Sequence, residues 1–315
     1  YEIVLNKGET YQVISETNHD VSGTFIQSSK PVSVFAGNEC TVIAALRFCD
    51  HLVEQLIPVD SFGARYYLVP FATRLNGDTV RIYAVEDDSH IFINNKAVAN
   101  LQAGEFYTTI FSQEIFVTAN RPIQVMQFSN SALYDNVDFS DPFMMSVSPQ
   151  QQFISSYLFN TLEQGISTHF VNIVSRSNAL HNVRVDDVSI DPNLWKRISD
   201  TDFYGVQIPI EPGAHRVHGS EPFGLYVYGF DDYDSYGYLA GTALSGKEIE
   251  RNIKLQLSND APEVGDEVCL FAAITDLSDQ PIAQKQVRFE IVRRGVSQHH
   301  IRLTDTAGIS EFCYT

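Results

Sequence analysis

Two stretches concentrate side chains able to hold an ion or grip a partner. Residues 135–145, DNVDFSDPFMM, carry Asp135, Asp138 and Asp141. Residues 230–241, FDDYDSYGYLAG, carry Asp231, Asp232 and Asp234 among Tyr233, Tyr236 and Tyr238. Clustered carboxylates supply the hard oxygens that Ca²⁺ takes, but neither stretch follows the D-x-[DN]-x-[DN]-G loop with its distant Glu. No cofactor is therefore expected, with Ca²⁺ at these acids as the alternative. Tyrosine offers a large contact area at low entropy cost. Tyr233, Asp234, Tyr236 and Tyr238, with Asp135, Asp138 and Asp141, are thus the candidate binding residues. A competing reading has the aspartates cap turns and the tyrosines cover a sheet edge or the joint with the module that follows.

Catalytic patterns are missing. The sequence holds no GxSxG, HExxH, P-loop or GxGxxG, and among nine scattered histidines only His299 and His300 adjoin. His51, between Asp50 and Glu54, reads as a hydrogen-bonded connector, because three ligands so close in sequence rarely converge outside a helical frame. A non-catalytic protein is expected. The rival from another class is a carbohydrate-active enzyme using acidic loop residues, which needs paired carboxylates about 5 to 9.5 Å apart in an aromatic cleft. Trp195, the sole tryptophan, either anchors a ligand at a loop tip or plugs a core.

The elements that position these loops are strands. Over residues 77–129, Val80, Ile82 and Ala84 alternate with Arg81, Tyr83 and Val85, and Ile91-Phe92-Ile93 runs into the turn pair Asn94-Asn95. Further strands are read at 106–111, 115–118 and 123–128, with no helical period between them. Slid on itself, the chain repeats. Lys30-Pro31-Val32 lies 91 positions before Arg121-Pro122-Ile123, and Pro58 and Phe62 recur as Pro149 and Phe153 at the same offset. Glu221-Pro222-Phe223 is a looser third echo. Each proline is read as opening a strand, where no ladder donor is lost. A period this long implies beads or interlocked sandwiches, with β units at about 1–37, 57–130 and 148–230 and the chain beginning partway through a copy. In the first unit strands are expected at 3–5, 11–14, 23–27 and 32–35, and a short helical turn at 50–56. In the last they are expected at 157–160, 170–174, 183–186, 205–210 and 225–228.

Composition excludes several partners. With 21 basic and 39 acidic side chains the net charge is −18, which repels nucleic acid and acidic membrane surfaces. No apolar run reaches the length of a membrane span, and the N-terminus has no signal-peptide core. The four cysteines fall into two local sets without CxxC spacing, so Cys40 is paired with Cys49 and Cys269 with Cys313. Persistent bridges imply an oxidising place, outside a cell or on its surface.

A resemblance now becomes specific. CDHLVEQLIPVDSFGARYYLVP, NGDTVRIYA, LQAGEFY, RPIQVMQFS, DPFMM, SPQQQF and FGLYVYGFDDYDSYGYLAG, in that order over residues 1–244, resemble the N-terminal domain family of the IgG-Fc-binding protein. The resemblance implies an extracellular, mucus- or surface-associated, non-enzymatic protein with a protein or glycan ligand. It defines no Fc-contacting residue. After a charged linker at 247–252, GDEVCLFAAITD, PIAQKQVRFEI and TDTAGISEFCYT resemble the bacterial Ig-like domains of invasin- and intimin-type adhesins. Such a domain would set Cys269 and Cys313 on facing sheets. The expectation is an all-β chain: tandem repeated antiparallel β-sandwich units over 1–245, a binding head or scaffold, then an Ig-like β-sandwich stalk over 246–315 that lacks its last strand. A pure structural spacer is the other non-catalytic reading.

Overall fold

The computed structural model describes residues 2–15, 19–44, 49–137, 140–244, 252–259, 267–275, 281, 283, 286–293 and 296–314. They form curled antiparallel sheets in two units, Tyr1–Gly246 and Lys247–Thr315.

In the first unit a hairpin of β1 (Phe35–Thr41) and β2 (Asp50–Gln55) comes first. One sheet then holds β3 (Gly63–Leu68), β4 (Asp78–Ala84), β5 (Ser89–Ile93), β6 (Lys96–Leu101), β7 (Phe106–Phe111), β8 (Ile115–Phe128) and β9 (Met144–Ser146). The loop between β8 and β9 contains the one-turn helix α1 (Ala132–Asp135). A second sheet holds β10 (Ile154–Asn160), β11 (Thr168–Arg176), β12 (Arg184–Val185), β13 (Val188–Ser189), β14 (Lys196–Arg197), β15 (Phe203–Ile210), β16 (Ala214–Asp231) and β17 (Asp234–Leu239).

Both sheets follow one plan around a long strand. The first half of β8 pairs with β3 and β5, and its second half with β4 and β9. In the same way the first half of β16 pairs with β10 and β12, and its second half with β11 and β17. Pro122 and Pro222 sit where the halves meet. These prolines therefore bend a continuing strand rather than open one, at a point where the ladder asks for no N–H.

The repeats share a core. Residues 223–230 of β16 are buried on both faces: Leu225 and Val227 join Val171, Ile173 and Trp195, while Tyr226, Tyr228 and Phe230 join the cluster built on Tyr66, Ile82 and Val125 of the first sheet. Burying both faces of one strand ties the two sheets into one unit. The segment after β3 is trapped in this seam. It has no ladder, so Asn172 Nδ2 donates to the Val69 and Pro70 carbonyls at 3.0 and 2.9 Å, and the Ala72 N–H donates to the Tyr228 hydroxyl at 2.8 Å. Gln152 Nε2 donates to the Ser61 carbonyl, joining two equivalent turns of the 91-residue repeat.

Two expectations are corrected here. Among the described residues of 2–34 no strand forms: Val4, Ile14 and Phe25 are 84%, 70% and 73% exposed, and no ladder partner pairs with them among the described residues. Residues 50–55 are strand and not a helical turn, since β2 alternates and turns Leu52 onto Met126, Phe128 and Met144. Of the two readings of Trp195, the core plug holds: it is buried in the second core.

In the second unit β18 (Asn252–Leu257), β19 (Val268–Thr275) and β22 (Ile309–Tyr314) form one sheet, and β20 (Gln286–Arg293) and β21 (Val296–Leu303) a hairpin. Ala272, Phe289 and Phe312 make its core. Both expected disulfides are present, and among the described residues no cysteine is free. Cys269 and Cys313, however, do not bridge facing sheets. They are directly opposed partners on the neighbouring strands β19 and β22, a cross-strand staple set by the register.

Candidate binding site

The two loops singled out by their acids and tyrosines meet. β17 returns along β16 through a two-residue turn, Asp232-Tyr233, and Tyr233 takes φ 55° there with 61% of its surface exposed. Period two then divides the hairpin. On one face Tyr236 and Tyr238 stack with centroids 6.0 Å apart, Tyr236 Oη lies 2.8 Å from His169 Nδ1, and the Tyr238 hydroxyl donates to the Asn160 carbonyl at 2.5 Å. Burial pushes the Tyr238 phenol up to about 12, and burial and then Tyr238 push Tyr236 up further. On the other face Ser235 Oγ donates to the Asp141 carbonyl at 2.6 Å. Gly237 leaves the room that Phe143 fills, since a Cβ there would overlap its ring. The 135–145 loop is thereby laid on β17.

Its acids divide likewise. Asp135 points inward, paired at 2.7 Å with Arg74 and accepting the Asn76 N–H at 2.5 Å, both charged side chains fully buried. Asp138 lies outside the described residues. Asp141 is pushed up to about 6, first by burial and then by the charges of Asp50 and Asp234. Asp231 and Asp234 accept the N–H groups of Asp232 and Ser235 at 2.7 and 2.8 Å, and the Asp232 N–H bond leads the causes that hold Asp231 low. Among the described residues the one His, Cys, Asp and Glu group tight enough to share an ion is Cys269, Glu311 and Cys313, whose cysteines are joined to each other. The described aspartates of the two stretches do not converge into such a set.

Asp50 was missed, and the signal for it was present: it stands 91 positions before Asp141. Asp50 opens β2, Asp234 opens β17, and Asp141 precedes β9, so each acid stands at or just before the start of a return strand. What gathers is a patch of mutually repelling carboxylates beside an exposed phenol. Its chemistry is that of accepting hydrogen bonds and cations.

Residues 1–229 match the family model described as IgGFc binding protein. The chain belongs to this IgGFc-binding family. The human (Homo sapiens) IgGFc-binding protein is 22% identical to it over 223 residues, 68% of this chain and 4% of the human protein. No solved structure matches. The family match ends inside β16, so the turn at Tyr233 and all of β17 lie beyond it, and the resemblance read over 1–244 is shortened to that extent. The part of this family member that the match does cover includes Asp50, Asp141, His169 and Phe143, the residues on which β17 rests or toward which its acid is turned.

Proposed function

We propose that this chain is a non-catalytic extracellular binding protein, with Tyr1–Gly246 as a rigid head made of tandem sandwich copies and Lys247–Thr315 as an Ig-like stalk. The carrying observation is the meeting of the 135–145 and 230–241 loops, with structural side chains and the buried Asp141 turned in and Tyr233 and Asp234 exposed at the patch. Membership of a family whose human relative is named for Fc binding supports a protein ligand, met at a cell surface or in mucus. Two formed disulfides support an oxidising compartment, and no helix among the described residues is long and apolar enough to cross a membrane. A glycan array and an Fc pull-down on the intact chain test this reading. Binding that is lost in Tyr233→Ser and Asp234→Asn at unchanged Tm supports it; a ligand held equally by both variants moves the site elsewhere.

A further inference from the structure

The two equivalent hairpin turns of the head differ in a way the fold does not require. Asn94 and Asn95 join β5 to β6 with φ 49° and 64°, and Asp186 and Asp187 join β12 to β13 with φ 48° and 64°. Asn94 Oδ1 accepts the Phe116 N–H at 2.9 Å; Asp186 Oδ1 accepts the Arg216 N–H at 2.8 Å. A neutral amide thus suffices for the turn. The second hairpin nonetheless carries carboxylates, and each has recruited a histidine: Asp186 Oδ2 lies 2.7 Å from His215 Nδ1, and Asp187 Oδ1 lies 2.9 Å from His218 Nε2. His215 Nε2 is taken up by the Glu211 carbonyl at 2.6 Å, so neither ring nitrogen is left for a guest.

Beside this turn is a groove of about 390 Å³. Val185, Ile208 and Ile210 give it an apolar floor, and Val188 and Leu194 stand 68% and 50% exposed at its lips. Its remaining charge is acidic. Asp186 is satisfied by His215 and Arg216, whereas Asp191 spends one oxygen on Asn193 and Glu211 is exposed at the rim; no Lys or Arg lines the groove. An apolar trough with two carboxylates at its edge complements an alkyl chain that ends in a positive charge. The chain's net charge of −18 draws such a partner in.

We propose that this groove is a binding site for a basic side chain of a protein partner, its aliphatic stem on Val185, Ile208 and Ile210 and its cationic head at Asp191 and Glu211. The groove shares no lining residue with the patch at Tyr233 and is tested by different substitutions.

The test uses the intact chain and two short glycine-flanked peptides, one with a central lysine and one with norleucine in its place. Trp195, the only tryptophan, follows the lip residue Leu194 and serves as a fluorescence reporter, with calorimetry in parallel. We expect saturable binding of the lysine peptide, weakened about threefold in Glu211→Gln, the scale of one exposed charge pair, and left unchanged in Asp60→Asn, a remote exposed acid. Val188→Lys, which brings a cation to the lip, should block binding without lowering Tm. Equal binding of the norleucine peptide, equal loss in Asp60→Asn, or no saturable signal by either method overturns the proposal.

Discussion

Tyr66 and Tyr157 occupy the same station in the two copies. Each hydroxyl donates to the carbonyl of the residue after the bending proline, Ile123 after Pro122 and Phe223 after Pro222. Each also accepts an N–H from three residues upstream, Gly63 at 3.1 Å and Ile154 at 3.4 Å. One side chain thus ties together the two backbone groups at the register shift of each ladder, Gly63 opposite Ile123 and Ile154 opposite Phe223. Tyr66→Phe and Tyr157→Phe should each cost about 1–3 kcal/mol, the penalty for stranding a buried donor and acceptor. Urea melts of the two variants check this, and a change below about 0.5 kcal/mol would show that the bend does not depend on the hydroxyl.

The tyrosines of the 230–241 hairpin should separate by face. Tyr236 and Tyr238 hold His169 and the Asn160 carbonyl against the second core, so Tyr236→Ser and Tyr238→Ser are expected to lower Tm, by roughly 2–4 kcal/mol of stability each. Tyr233→Ser at the turn should leave Tm within the scatter of surface changes, about 0.5 kcal/mol. Thermal melts of the three single variants decide it. Equal losses would return Tyr233 to a structural role.

Reducing the disulfides should act unequally. By loop entropy the bridge closing 44 residues contributes roughly 4 kcal/mol and that closing 9 roughly 2.5 kcal/mol. Cys269→Ser with Cys313→Ser is therefore expected to melt the Lys247–Thr315 unit well before the head, whereas Cys40→Ser with Cys49→Ser should leave the β8 and β16 sheets intact. Calorimetry resolving two transitions reads this out; a head transition lost with the Cys269 pair would contradict it.

Calcium should make no difference to folding, because the Asp135 carboxylate is committed to Arg74 and the remaining acids do not converge on one ion position among the described residues. Tm in chelator and in millimolar Ca²⁺ should agree. A rise of many degrees with Ca²⁺ would place a coordination site in the acidic loops.

Much of this architecture was legible in the sequence because one physical signal dominates it. Period-two alternation found β4, β5, β7, β11, β15 and both halves of β8, and the 91-residue offset aligns Tyr66 with Tyr157 and Ser61 with Gln152. What was hidden depends on partners that alternation does not name. Residues 3–5, 11–14 and 23–27 carry the pattern but form no ladder among the described residues, and a ladder needs two strands. Residues 50–56 looked helical because Asp50, His51 and Glu54 mask the alternation of Leu52. Pro122 and Pro222 look alike at a strand start and at a bend, and only the register separates the two. For the binding patch, Tyr233, Asp234 and Asp141 were visible as loop composition, while the inward turn of Asp135 required Arg74, 61 positions away, to be placed beside it.

That buried arginine also sets the charge of the seam. Asp78 is fully buried, and one of its oxygens, Oδ2, accepts both the Phe71 N–H at 2.7 Å and Gln127 Nε2 at 2.8 Å, while Oδ1 has no partner. Arg74 lies within reach of both Asp78 and Asp135, and a single guanidinium cannot neutralise two buried carboxylates. Asp135 holds the direct ion pair, so Asp78 takes the proton. Burial, against the two hydrogen bonds and Arg74, pushes Asp78 up to about 7. A carboxyl raised in this way favours the folded state fully below its unfolded value near 3.8, and that contribution is lost as pH rises through about 7. The stability of the head should therefore fall between about pH 4 and pH 7, with Asp78 contributing on the order of a few kcal/mol. Asp78→Asn reproduces the protonated carboxyl: its one oxygen can keep both accepted bonds, and it carries no charge. We expect the variant to match the parent near pH 4, to exceed it at pH 7 and above, and to show the shallower Tm profile between them. Asp141 and Glu54, also raised by burial, keep that profile from becoming flat. Parallel profiles for parent and Asp78→Asn would mean that Asp78 is ionised in the seam and that Arg74 carries both acids.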